Sequence, residues 1–213
     1  MQACWGLLLH RYCGDDDVVF GITLSGRPAE LSGVEQMVGL FINTLPLRLD
    51  FEQGNEGSLL QFLENLQQQQ VKLRQHQTTP ITEVQSYSSV PNKQPLFQTI
   101  LVFENYPLGA ALATTDLAFS IDGIDTHDQT NFPMTIVVTA EETLNISIAY
   151  DQQIFSASII EQILGHFEQV LTQLPSVIQQ PVHQLDILKP EEKQNLLALS
   201  NETSVEYPTD VCI

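Results

Sequence analysis

The stretch VVFGITLSGRPAELSGVEQMVGLFINTLPLRLDF, residues 18–51, contains two predicted strands joined by a glycine-flanked loop. Residues 18–25 are apolar without clear alternation, which is typical of a strand buried on both faces. Residues 45–51 alternate apolar and polar side chains and predict a half-buried strand, with Pro46 indicating an edge position. Between them, VEQMVGLF has helical apolar spacing and predicts a short helix. The stretch therefore predicts a sheet at the centre of the fold.

Amphipathic helices are predicted on both sides of this stretch. One covers residues 1–12, and a second begins at Ser58 as its N-cap and extends to Leu73. A third covers residues 159–171, where Ser158 and Glu161 fit a capping box. His166 falls on the polar side of this third helix, so we expect it at the surface.

The rest of the chain adds strands and a tail. A strand is predicted over residues 97–103, with Phe97, Leu101 and Phe103 in the core, and a hairpin is predicted over residues 134–150. From Lys189 onward a short helical pattern precedes polar, proline-marked chain that is typical of a linker. The pattern as a whole predicts an α/β sandwich with a mixed sheet.

The composition excludes several classes of protein. The chain carries 26 acidic and 8 basic residues, a net charge of −18, which disfavours binding to nucleic acid or to anionic membrane surfaces. No apolar run is long enough to span a membrane, and no signal-peptide pattern is seen, so we expect a cytoplasmic protein. Three cysteines without CxxC spacing indicate neither a zinc site nor a disulfide framework.

Most of the polar motifs favour structural interpretations. The sequence has no Walker loop, no GxGxxG and no nucleophile elbow. The cluster DGIDTHD, residues 122–128, matches no metal-binding spacing and is interpreted as a solvated turn.

Two short motifs remain as candidate sites. In SGRP, Gly26 permits a sharp turn that holds the Ser25 hydroxyl and Arg27 at the end of a buried strand, where open α/β folds present ligands. The alternative is that Arg27 locks the loop by binding carbonyls, Glu30 or Glu35. In FINT, Asn43 is predicted to adopt a left-handed turn and bond its own backbone, a structural role.

These motifs, together with HQTTPITEVQ (76–85), QPLFQTILVFENYP (94–107), TNFPMTIVV (130–138) and residues 146–171, resemble the C-terminal part of a nonribosomal peptide synthetase condensation domain. VGLFINTLPLR is similar to that family's (I/V)GxFxNTxxxR motif. The tail resembles the linker that leads into an adenylation domain, so residues 1–188 are assigned to the condensation domain and 189–213 to the linker.

The resemblance implies one lobe of a chloramphenicol acetyltransferase-like fold, two of which form a V around a tunnel. Carrier proteins present thioester substrates there on phosphopantetheine arms, and a peptide bond forms between donor and acceptor. The family's HHxxxDG signature belongs to the other, N-terminal lobe, and this sequence contains no HH pair. We therefore expect an incomplete domain that lacks the N-terminal lobe and is inactive alone.

The resemblance also assigns roles to individual residues. Ser25, Gly26 and Arg27 match a loop facing the reaction chamber, where the serine contacts the acceptor amine. Asn43, Thr44 and Arg48 match an architectural motif, and Arg27 and Arg48 are expected to hold the tunnel-side framework. Thr130, Asn131 and Phe132 match a segment that reaches toward the partner lobe.

The expected partners are the missing N-terminal lobe, peptidyl carrier proteins and an adenylation domain. Neither a metal nor a directly bound cofactor is expected, because phosphopantetheine arrives on the carrier proteins. Two alternatives remain open at this point. One is a noncatalytic scaffold derived from the same lobe, and the other is a small free-standing acyltransferase that uses His76 or His127 as its base.

Overall fold

The computed structural model describes residues 1–27, 31–54, 57–91, 93–104, 130–140 and 143–201. The helices in these ranges are α1 Gln2–Cys13, α2 Phe51–Gly54, α3 Leu59–Arg74, α4 Ile81–Tyr87, α5 Ala157–Val177 and α6 Pro190–Asn201. The strands are β1 Asp17–Leu24, β2 Asn43–Asp50, β3 Thr99–Glu104, β4 Met134–Ala140 and β5 Leu144–Tyr150. Short 3₁₀ helices lie at Val34–Gln36 and Val182–Gln184.

The strands of the described part form one mixed sheet in the order β2-β1-β3-β4-β5. The inner pairs, β1 with β3 and β3 with β4, are parallel, whereas each outer pair is antiparallel. The predicted α/β fold with a mixed sheet and the hairpin of β4 and β5 are thus confirmed. Pro46 lies on β2 at the edge of the sheet, as its missing N–H donor led us to expect.

Helices cover one face of this sheet. Phe20, Ile22 and Leu101 project from that face because directly paired residues share a side, and they join a buried cluster with helical side chains. Those helical side chains come from α1, α3 and α5 and include Trp5, Leu8, Phe62, Leu66, Ile163 and Phe167. Trp5 also donates its indole N–H to Thr99 Oγ1 at 3.1 Å, which fixes α1 against β3.

Serine side chains cap both long helices. Ser58 Oγ accepts the amide N–H of Gln61, so the predicted start of α3 is confirmed. The prediction for α5 is wrong by two residues, because Ser156 is its N-cap and accepts the amide N–H of Ile159. Ser158 instead lies 3.0 Å from Ser156, hydroxyl to hydroxyl.

Two further predictions are wrong. VEQMVGLF is not a helix beyond the 3₁₀ turn Val34–Gln36, and the chain after it is irregular, with Val38 and Leu40 fully exposed or nearly so. Phe103 is 48% exposed, although Phe97 and Leu101 are buried as predicted. Phe103 stands at the end of β3, beyond the cover of the helices, and borders the groove described next.

Candidate functional site

A groove of about 1300 Å³ opens where β1 and β3 end. Its walls are the start of α1, the second half of α3 and the loop after β1. Because β1 and β3 are parallel, their carboxyl ends meet at the same edge, which is where open α/β sheets place ligands. The groove is bordered by Gln2, Ser25, Arg27, Gln67, Gln70, Arg74, Gln77, Thr78 and Phe103, among others.

Gly26 makes the tight turn that carries Ser25 into this groove. Its φ is +63°, a left-handed conformation that other residues rarely adopt. A Cβ at this position would also overlap the carbonyl oxygen of Phe41, which belongs to the chain segment entering β2. The loop therefore has both a conformational and a steric requirement for glycine.

Arg27 holds the same loop from the other side. Its guanidinium donates to the carbonyl oxygens of Val34 and Met37, the latter at 3.1 Å, and lies 4.3 Å from the centre of the Phe41 ring. Of the two interpretations of Arg27, the structure shows the carbonyl-binding lock. The side chains of Glu30 and Glu35 and the backbone of Pro28 lie outside the described residues.

Asn43 and Thr44 lie beside this loop. They pair with Leu24 and Thr23 of β1, one and two residues before Ser25. Asn43 is the first residue of a regular strand, so the predicted left-handed turn is wrong. Its Nδ2 donates to the carbonyl oxygens of both Gln77 and Thr79 at 2.8 Å, and its Oδ1 accepts the N–H of Thr44. The structural role expected for Asn43 is to fasten the chain after α3 to β2.

Arg48 lies away from the groove. It pairs with Val19, six residues before Ser25 and so about 20 Å from it along the strand. Its guanidinium makes two 2.8 Å hydrogen bonds to the carboxylate of Asp17 at the start of β1. These bonds, with the positive charge, hold the pKa of Asp17 below its usual value. Arg48 thus joins β2 to the start of β1, whereas Arg27 acts at the other end of that strand.

Thr130 and Phe132 support the entry into β4. Thr130 Oγ1 lies 2.6 Å from Thr135 Oγ1, and the Phe132 ring stacks on Phe97 with the ring centres 5.4 Å apart. Asn131 is exposed between them. Since β4 is parallel to β3, this segment lies at the opposite end of the strands from Ser25.

The other polar candidates are distributed widely. His76 is exposed in the turn after α3, whereas His127 and the whole cluster 122–128 lie outside the described residues. Within the described ranges, no group of His, Cys, Asp and Glu side chains has an arrangement suited to a metal ion. None of the described helices combines the length and apolarity needed to cross a bilayer.

His166 is buried, and the expectation that it lies at the surface is wrong. Only 7% of the residue is exposed. Its Nε2 lies 2.8 Å from Glu192 Oε2 on α6, and its Nδ1 lies 2.6 Å from the Tyr12 hydroxyl on α1. The helical pattern alone did not reveal these partners, because both lie on elements distant in sequence.

The sheet with its layer of helices and its groove beyond the ends of parallel strands defines one lobe of a chloramphenicol acetyltransferase-like fold. The pattern of the Condensation domain family matches residues 1–197. The chain belongs to this family.

Relatives and solved structures agree with this assignment. The chain is 41% identical to a linear gramicidin synthase of Brevibacillus parabrevis and 37% identical to bacitracin synthase 3 of Bacillus licheniformis. It is matched over 100% and 98% of its own length but spans only 4% and 3% of theirs.

A four-domain nonribosomal peptide synthetase, solved bound to AMP and glycine, superposes with a TM-score of 0.74 at 18% identity, over 90% of this chain and 16% of that one. A variant of the starter condensation domain of the rhizomide synthetase gives 0.66 at 24% identity, over 88% and 42%. These two similarities show the fold.

Proposed function

We propose that this chain forms the C-terminal portion of a peptide-synthetase condensation domain and that the groove is one wall of its tunnel. In the reaction, the acceptor amine attacks the donor thioester carbonyl, so that a C–N bond forms and the C–S bond breaks. The donor arm leaves as a thiol, and the amine loses a proton. The observation that carries the proposal is the exposed Ser25 at the carboxyl end of β1, on the rim of the groove.

Ser25 is the group we assign to the acceptor amine, because a hydroxyl oxygen accepts a hydrogen bond from an amine or ammonium. Gly26 and Arg27 hold its loop in place and do not touch substrate in this proposal. Amide side chains such as Gln67 and Gln70 border the groove and offer donors and acceptors to the amides of a phosphopantetheine arm.

The catalytic histidine of the family motif is supplied by the partner lobe in this proposal. The sequence contains no HH pair, so we expect no condensation by this chain alone. Peptidyl carrier proteins would deliver both substrates. Residues 189–213 would connect to an adenylation domain, and both this boundary and a cytoplasmic location stay predictions.

The test is a chimera in which this chain replaces the matching segment of the linear gramicidin synthase to which it is 41% identical. With loaded donor and acceptor carrier proteins, the chimera should form a peptide that mass spectrometry detects, and the isolated chain should form none. Ser25→Ala should slow condensation about tenfold, the effect of losing one hydrogen bond to a charged group. Ser147→Ala, an exposed serine on β5, serves as the matched control.

Two outcomes would contradict the proposal. A folded chimera that forms no peptide would favour the scaffold alternative. A fully active Ser25→Ala chimera would remove Ser25 from the reaction, even if the chain supports condensation.

A further inference from the structure

Helix α6 docks on the lobe without burying any of its residues. Leu196, Leu197 and Leu199 are 47%, 57% and 70% exposed, so apolar burial contributes little to holding the helix. A helix of twelve residues is also marginal in water by itself. Polar contacts to the rest of the lobe must therefore keep α6 in place.

The central polar contact is a chain of three side chains. The Tyr12 hydroxyl meets His166 Nδ1 at 2.6 Å, and His166 Nε2 meets Glu192 Oε2 at 2.8 Å. Burial and the nearby charge of Glu192 raise the pKa of Tyr12, so its hydroxyl keeps its proton and can donate to Nδ1. A neutral imidazole protonated at Nε2 then donates to the Glu192 carboxylate and satisfies both contacts.

Two ion pairs flank this chain. Lys189 Nζ lies 3.1 Å from Glu168 on α5, and Lys193 Nζ lies 2.8 Å from Asp186 before α6. All four of these side chains are at least 41% exposed, so each pair is worth little by itself. The buried His166 thus makes the contact that distinguishes the docked helix from a solvated one.

We propose that α6 is a strap that leaves and rejoins the lobe as a unit, with the Tyr12–His166–Glu192 chain as its latch. His166 and Tyr12 stay on the lobe, and Glu192 moves with the strap. The opening unravels α6, because the isolated helix is too short to persist. This inference goes beyond the proposed function and does not depend on it.

Hydrogen exchange followed by mass spectrometry tests the latch on the full chain. Glu192→Ala should speed amide exchange in residues 190–201 by about tenfold, the effect of losing one hydrogen bond to a charged group, and leave α5 unchanged. Glu191→Ala is the matched control, since it removes the same charge from the same first turn but from an exposed residue. The control should exchange like the parent chain.

A second variant checks the chain from its other end. Tyr12→Phe removes only the hydroxyl and should also speed exchange in α6, by less than Glu192→Ala, because the bond to Glu192 survives. Equal exchange rates in the Glu191 and Glu192 variants would overturn the latch. Faster exchange in α5 along with α6 would overturn the strap, since the helix would then open only with the lobe.

Discussion

A methyl group at Gly26 should release the loop that carries Ser25. Gly26→Ala forces an alanine into a left-handed backbone, which costs about 1–2 kcal/mol. The new Cβ would also overlap the Phe41 carbonyl oxygen, a backbone atom that no rotamer change can move. Overpacking of this kind costs a further 1–3 kcal/mol or so. We expect a total loss of about 2–5 kcal/mol in the free energy of unfolding.

Gly33→Ala separates the two contributions. Gly33 has a similar φ of +75° and lies in the same connection, but no atom would lie within 4 Å of its Cβ. This variant should therefore lose only the conformational part, about 1–2 kcal/mol. The difference between the two variants measures the collision with Phe41.

Urea unfolding monitored by Trp5 fluorescence is the assay. Trp5 is the single tryptophan of the sequence and is almost completely buried, so its emission should report the loss of the core. In thermal scans each kcal/mol corresponds to a shift of roughly 2–4 °C in Tm for a chain of this size. If both glycine variants lose the same stability, the contact between Gly26 and Phe41 does not lock the loop.

Three further predictions concern the rest of the described surface. Asn43→Asp should cost about 3 kcal/mol in urea unfolding because it turns a carboxylate toward two carbonyl oxygens, and an equal cost for Asn43→Ala would contradict this. Arg48→Gln should return the Asp17 pKa toward its usual value; since that pKa is lowered in the folded protein, the pair stabilises it above pH of about 4 and loses this effect as pH falls. An unchanged Asp17 pKa by NMR titration would refute the assignment. The double variant Val38→Ser and Leu40→Ser should bind less hydrophobic dye at unchanged stability, because both side chains are exposed, whereas unchanged dye binding would place the apolar surface elsewhere.

The elements that could be predicted from the sequence are those whose pattern and packing agree. β2 alternates Leu45, Leu47 and Leu49 toward the helices, and those three residues are buried. β1 lacks alternation because it lies inside the sheet, between β2 and β3. In both strands the partner that covers each face is implied by the hydrophobic period itself.

The errors arise where a distant partner decides the local structure. VEQMVGLF has the spacing of a helix, but Arg27 takes the carbonyl oxygens of Val34 and Met37 as hydrogen-bond acceptors. The chain after the 3₁₀ turn is therefore bound to the loop in place of continuing a helix. The surface position predicted for His166 is wrong for a related reason: its two partners lie 154 and 26 residues away in sequence.

The SGR motif shows how far sequence reasoning can reach within one site. The sequence identifies Ser25, Gly26 and Arg27 as a unit but leaves open which of the two polar residues serves the structure. The contacts decide this, because the guanidinium is used by two carbonyls and one ring, and Ser25 remains exposed on the rim of the groove. Gly26 must then be judged by what it touches. Since a Cβ there would displace the chain that leads into β2, a change at Gly26 would reach Ser25 and Asn43 together.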